Sequence, residues 1–136
     1  MNEFVNLNIQ LLFRITGAVL FIQLALGGLV TFGYLDWTVH MGWGIVLGVL
    51  AIATLIFVAR MPSKSKGLLG LTVGIGVDIL IQGLLGFAAQ NTGNNAISWV
   101  HFLNALAIYG MTLAGTFMAM AASRMAQASP MASTAQ

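Results

Sequence analysis

Four long apolar runs, at roughly Leu11–Phe32, Val39–Ala59, Leu68–Ala89 and Ile97–Ala122, set the terms on which this chain can fold. Crossing the hydrocarbon core of a bilayer takes about 20 predominantly apolar helical residues, and each run meets that length. The links between them are short, so consecutive helices are expected as antiparallel neighbours in one up-down bundle. The fold class that follows is an all-α integral membrane protein, a four-transmembrane-helix bundle. Composition excludes the ordinary soluble alternative: 59% of the 136 residues are hydrophobic and only 6% are charged. Residues 1–10 read as an N-terminal cytoplasmic segment and 11–122 as the transmembrane domain. The tail at 123–136, ending MAQASPMASTAQ, is small and polar and is expected to be disordered. MNEFVNLNIQ lacks a basic n-region and is not expected to act as a signal peptide.

The few charges orient the bundle. Arg14 lies near the start of the first run, Arg60, Lys64 and Lys66 flank the second link, and Arg124 follows the fourth run. The first and third links contain no Lys or Arg, so the positive-inside rule places both termini and the 60–67 link in the cytoplasm. The links YLDWT and QNTGNNAIS then face outward from the cell membrane. All five basic residues agree with this arrangement, which accounts for the net charge of +2 and leaves no reason to expect a nucleic-acid partner. The absence of cysteine excludes a disulfide framework, a thiolate metal site and an iron–sulfur cluster.

FIQLALGGLVTFGYLDWTVHMGWGIVLG, starting at Phe21, returns in outline as LIQGLLGFAAQNTGNNAISWVHFLNALAI, starting at Leu80. Ile22, Gln23 and Gly27 match Ile81, Gln82 and Gly86 at an offset of 59 residues. The chain's two histidines, His40 and His101, are 61 apart, so the outer link is expected to be two residues longer in the second copy. Two helical hairpins of common plan are expected, related by a pseudo-two-fold axis along the membrane normal. Each His falls a few residues into the outer end of its helix, and on this plan both stand at one depth.

Two imidazoles facing each other across a four-helix bundle suit haem iron held axially from both sides. The residues one turn away fit. Gly44 lies four beyond His40, Ala105 four beyond His101, Gly27 four beyond Gln23 and Gly86 four beyond Gln82. A flat macrocycle could lie close to the backbone along such stripes. The bland alternative is that each His hydrogen-bonds a neighbouring helix and the glycines serve helix packing. Copper or zinc would want further ligands, for which only Asp36 is at hand.

These residues bring a family into view. QLALGGLVT at the close of the first run, QGLLG in the third, and the two spaced histidines resemble one half of haem A synthase, the cytochrome oxidase assembly enzyme. The resemblance covers about residues 12–122. It implies two tandem four-helix halves in the family, each with a His in its second and fourth helices. One half carries a b-type haem, and the other acts on a haem being oxidised at its methyl group. By residue match, His40 and His101 would be the axial pair. Where the reactive half carries a glutamate three residues before its first His, this chain has Trp37, and Met41 stands where the family often has Arg. Asp36 is one residue off, about 100° around a helix. The outer-loop cysteine pair of many members is missing too. The resemblance is therefore to the b-haem half, or to a single-half relative.

Other residues carry expectations of both kinds. Asp78, near the middle of the third run, is read either as part of a proton path or as a neutral carboxyl bonded to another helix. Gln23 and Gln82 could touch a haem or quinone edge, or bind helices together. Trp37 and Trp99 are read first as interfacial belt residues. Haem propionates would have to use Asn91, Thr92, Asn94, Asn95, Thr38 or backbone amides; Met41 and Met111 are not expected as ligands. The function expected is a membrane haem protein with a role in haem maturation or electron transfer, carrying haem near the outer face. B-type haem is expected first, with haem O or haem A next. The rivals are a small b-type cytochrome subunit of a respiratory or oxygenase complex, and a structural subunit without haem. Expected partners are the bilayer and other membrane subunits, or further copies of the chain.

Overall fold

The structure, a computed structural model, describes residues 2–61 and 66–132; expectations placed on Lys64 and on residues 133–136 lie outside the described residues. Its elements are α1 (Asn2–Thr31), α2 (Trp37–Ala59), α3 (Lys66–Thr92) and α4 (Asn95–Ala132). Each contains a stretch long and apolar enough to cross a membrane: Asn8–Thr31, Trp37–Ala59, Lys66–Thr92 and Asn95–Arg124. The all-α four-helix bundle expected from the apolar runs is what forms.

The helices overshoot those runs. α1 starts at Asn2 rather than Leu11, and α4 continues to Ala132, so residues 123–132 are helical where a disordered tail was expected. Ala, Met, Gln and Arg are good helix formers, and the hydrogen-bond ladder does not need apolar side chains. An apolar run marks what lipid could cover, not where a helix must stop.

The hairpin turns are set by local chemistry. Gly33, at φ +75°, ends α1. Its amide donates to the Val30 carbonyl at 3.0 Å and the Tyr34 amide to the Leu29 carbonyl at 2.9 Å, the paired bonds of a Schellman stop. Gly93, at φ +61°, ends α3 with a single bond to the Ala89 carbonyl at 3.0 Å. Asp36 starts α2, its carboxylate accepting from the Thr38 amide at 2.8 Å and the Thr38 hydroxyl at 2.6 Å. Asn94 does the same for α4, accepting from the Ala96 amide at 2.9 Å.

The helices form a ring: α1 packs on α2, α2 on α3, α3 on α4 and α4 on α1. Among the described residues no Cα of α1 comes within 8 Å of α3, nor any of α2 within 8 Å of α4, so these pairs are diagonal. The half of the ring near the chain termini is tightly filled. Ile9, Phe13 and Leu20 of α1 meet Leu47 and Val58 of α2, Leu68 and Ile75 of α3, and Ile108 and Ala119 of α4. Each helix also buries a threonine there: Thr16, Thr54, Thr72 and Thr112. The hydroxyls of the last three donate to their own carbonyls one turn back, at 2.7 Å. Such small, internally satisfied residues let helix backbones approach closely. Gly115 does so most, with the Phe13 ring lying where its Cβ would stand.

The half near the hairpin turns is different. No residue from Phe21 to Val46, and none from Gly76 to Asn104, is buried. The buried core lies at the foot, the head has no fully buried residue, and both histidines are in the head.

Candidate functional site

His40 lies in the first turn of α2 and His101 in the second turn of α4. These are diagonal helices, and their side chains meet inside the ring, with imidazole centres 6.1 Å apart and planes at 72°. The expectation that one hairpin plan would bring both histidines to one level agrees with this contact. The accounting behind it does not. From Gly33 to the Asp36 cap is three residues, but from Gly93 to the Asn94 cap only one, so the second link is the shorter. The extra length sits in the helices: seven residues separate the cap from His101 against four from Asp36 to His40, and eleven separate Gln82 from Gly93 against ten from Gln23 to Gly33.

Each histidine is clasped by the preceding helix of its own hairpin. Gln23 Nε2 lies 3.3 Å from His40 Nε2 and donates to the His40 carbonyl at 2.8 Å. Gln82 Nε2 lies 3.2 Å from His101 Nε2. Both imidazoles rest on a glycine. A Cβ on Gly27 would stand 3.1 Å from His40 Cε1, and one on Gly86 2.9 Å from His101 Cε1. Gly44 makes room for the Gln23 amide, 3.3 Å from where its Cβ would be, rather than for an imidazole. Ala105 is buried at the top of the closed core. The expected small residues are therefore present, but Gly27 and Gly86 adjoin the rings directly while Gly44 and Ala105 adjoin their surroundings.

The hairpins part company in one residue that the sequence reading passed over. Asn104 Nδ2 donates to Gln82 Oε1 at 3.0 Å and also lies 3.3 Å from the Asp78 carbonyl. His101 Nδ1 lies 3.1 Å from the Gln82 carbonyl and donates to it. On the other side, Gln23 Oε1 and His40 Nδ1 are buried without a hydrogen-bond partner. The position matching Asn104 at the histidine offset of 61 is Trp43. One signal for Asn104 was available: a lone amide three residues after His101, on the same helix face.

Asp78 is half-buried, one turn before Gln82 on α3, and joins this network through its backbone carbonyl. Asp36 is fully exposed at the start of α2. The Thr38 hydroxyl, and then the Thr38 amide, hold its carboxyl below the usual carboxylate range. It caps the helix and does not join the histidine pair. Trp37 and Trp99 are exposed at the turns, Trp99 edge-on to Phe102 at 5.9 Å. Asn91 and Thr92 bond back to the Phe87 and Ala88 carbonyls at 2.7 and 2.8 Å. Met41 is exposed and Met111 packs on the core. A separate groove of 430 Å³ opens on the α1–α4 seam beside Phe13, Arg14, Gly17 and Leu113, and no candidate residue lines it.

Among the described residues no three of His, Cys, Asp and Glu come together to hold a metal ion. The donor set at the head is two imidazoles, which suits a group that brings its remaining ligands with it. Two imidazoles bound to one metal from opposite sides, at about 2 Å per bond, place their ring centres on the order of 6 Å apart. The observed 6.1 Å agrees with that separation. Gly27 and Gly86 give each ring a close approach to the neighbouring backbone, while both Nε2 atoms already meet glutamine amides. Compared with protein-family models, with curated proteins and with solved structures, the chain gives no match.

Proposed function

We propose that the chain is a four-span membrane protein that carries haem in the head of its bundle, with His40 and His101 as axial ligands, and that it serves electron transfer. One observation carries this reading: two imidazoles from diagonal helices meet at 6.1 Å in the half of the bundle that has no buried core. Bound there, a bis-imidazole haem supplies one-electron redox chemistry. The protein's part is to present the two Nε2 atoms, which Gln23 and Gln82 now occupy and must release. Gly27 and Gly86 let the rings lie against α1 and α3 while they do so. B-type haem is the group proposed.

The resemblance to one half of haem A synthase implies either passing electrons or oxidising a haem. With Trp37 at the glutamate's position and Asp36 committed to capping α2, no carboxylate side chain among the described residues bonds to the histidine pair. That supports the electron-passing role. The four described basic residues, Arg14, Arg60, Lys66 and Arg124, all fall toward the foot, and the turns at the head have none. This supports a cytoplasmic foot and an outward-facing head in the cell membrane. Further membrane subunits or a second copy would supply the electron donor and acceptor.

A second reading has its own observation. Both Nε2 atoms already meet glutamine amides, which is how packing histidines would bind hairpins in a structural subunit. Purification in mild detergent, a reduced-minus-oxidised spectrum and pyridine haemochrome analysis separate the two. A low-spin spectrum in the unmodified protein, altered in His40→Ala and His101→Ala, is expected. A protein that carries no haem and takes none up on reconstitution would leave the structural reading standing.

A further inference from the structure

We infer that the groove on the α1–α4 seam is a lipid site: it takes an acyl chain of an anionic phospholipid from the leaflet at the foot, and Arg14 holds that lipid's phosphate. The site rests on the four-span part of the reading above and is independent of haem.

Arg14 sits where a cation needs an anion. It follows Asn8, the start of the first span, by six residues, which is about 9 Å of helix. Ionisable side chains at such a depth pair with another charge or mark a ligand. The Arg14 guanidinium instead donates at 3.7 Å to Met120 Sδ, a weak acceptor, and among the described residues no carboxylate pairs with it. Arg124 is exposed one turn beyond Met120 on α4, and Gln10 Nε2 ties the two helices there by donating to Ser123 Oγ at 2.7 Å. Basic pockets between transmembrane helices on the cytoplasmic side take anionic headgroups, and a second cation favours a net negative headgroup over a zwitterionic one. From Arg14 the 430 Å³ groove runs toward the head over the buried Phe13 and Gly17. The rings of Phe21 and Tyr109, with centres 6.4 Å apart, meet at its head end. Phe13 to Ile22 is about 13 Å of helix, close to half of a hydrocarbon core about 30 Å thick, so the groove has the length of one leaflet's chain. Inorganic phosphate would meet Arg14 and leave this apolar groove unused. A second copy in the same orientation brings no acid to that depth: Asp36 is at the head, Asp78 is near the middle of its span, and Glu3 precedes the first span.

The test titrates detergent-purified protein with phosphatidylglycerol or with phosphatidylcholine of the same acyl chains, read by native mass spectrometry and thermal unfolding. Phosphatidylglycerol should be retained about tenfold more tightly than phosphatidylcholine and should raise Tm. Arg14→Gln should remove that preference, and Arg14→Lys should keep part of it. Ala18→Trp, on the exposed rim of the groove, should block both lipids, whereas Leu80→Trp, exposed on α3, should block neither. The second variant adds the same ring to another apolar surface, so a loss confined to Ala18→Trp belongs to the groove. Equal retention of the two lipids, or binding that survives Ala18→Trp, overturns the site. Equal stabilisation by inorganic phosphate overturns it in favour of a bare anion, and a dimer that Ala18→Trp dissociates overturns it in favour of a second copy. A chain that alkaline carbonate strips from membranes would sink the four-span reading itself. One that stays embedded and shows no lipid preference sinks only the lipid site.

Discussion

Two glycines decide how near each imidazole comes to its neighbouring helix, and they do so unequally. A methyl group on Gly86 would stand 2.9 Å from His101 Cε1, against a ring pinned at both nitrogens. On Gly27 it would stand 3.1 Å from His40 Cε1, against a ring with one nitrogen unbonded. Gly86→Ala should therefore destabilise the protein by about 1–3 kcal/mol, the usual cost of overpacking, and Gly27→Ala by clearly less. Thermal unfolding in detergent reads both, and the reverse order would remove the close-approach account. At this scale the sequence was informative where a residue type is rare in its surroundings. The two histidines, with Gln23 and Gln82 inside apolar runs, could hardly be lipid-facing, and the structure puts all four in one cluster. Asn104 was missed because nothing in its spacing says that it reaches a glutamine on the facing helix. Gly44 was seen as a small residue one turn beyond His40, but its contact with the Gln23 amide was not, since helical spacing gives a face and not the partner opposite it.

Among the elements, α2 starts at an exposed cap, and Asp36 makes it. Its carboxyl is held below the ordinary range by Thr38, so the charged form is favoured in the folded state. A group whose folded value is depressed contributes stability above its unfolded value, about 3.9 for Asp, and loses it as pH falls through the folded one. Acidification below about pH 4 should accordingly fray the first turn of α2, read from the Thr38 amide resonance and its exchange rate. Asp36→Asn keeps an N-cap acceptor and should abolish that pH dependence. Helix existence was legible from apolar length, and the starts of α2 and α4 from their caps. Helix ends were not, because the polar flanks of α1 and α4 can extend a ladder that apolarity does not define. Nor was the place of the two extra residues in the second hairpin, since a residue count does not say whether chain coils into helix or spans a link.

For the whole molecule, a buried core confined to the foot predicts a gradient of stability. Phe13→Ala would empty the foot beside Gly115 and should cost about 3–5 kcal/mol, the range for burying and then deleting an aromatic ring. Phe21→Ala, two turns on along α1 and 63% exposed, should cost little by the same melting measurement. Because the chain has no cysteine, its topology can be read cleanly. A membrane-impermeant maleimide applied outside intact cells should label Ser98→Cys at the head and not Lys66→Cys at the foot. Labelling of both from one side would refute four spans in this orientation.

The closed foot also bears on how such a protein is made. Small metal-dependent domains are unfolded until their ion arrives. Here the helices already hold one another through Phe13, Val58, Leu68 and Ile108 before anything enters the head. If the head takes haem as proposed, insertion and helix pairing can run to completion first, with loading as a separate and later event. On that proposal, a cell short of haem should accumulate a folded, empty chain in its membrane rather than lose it to proteases.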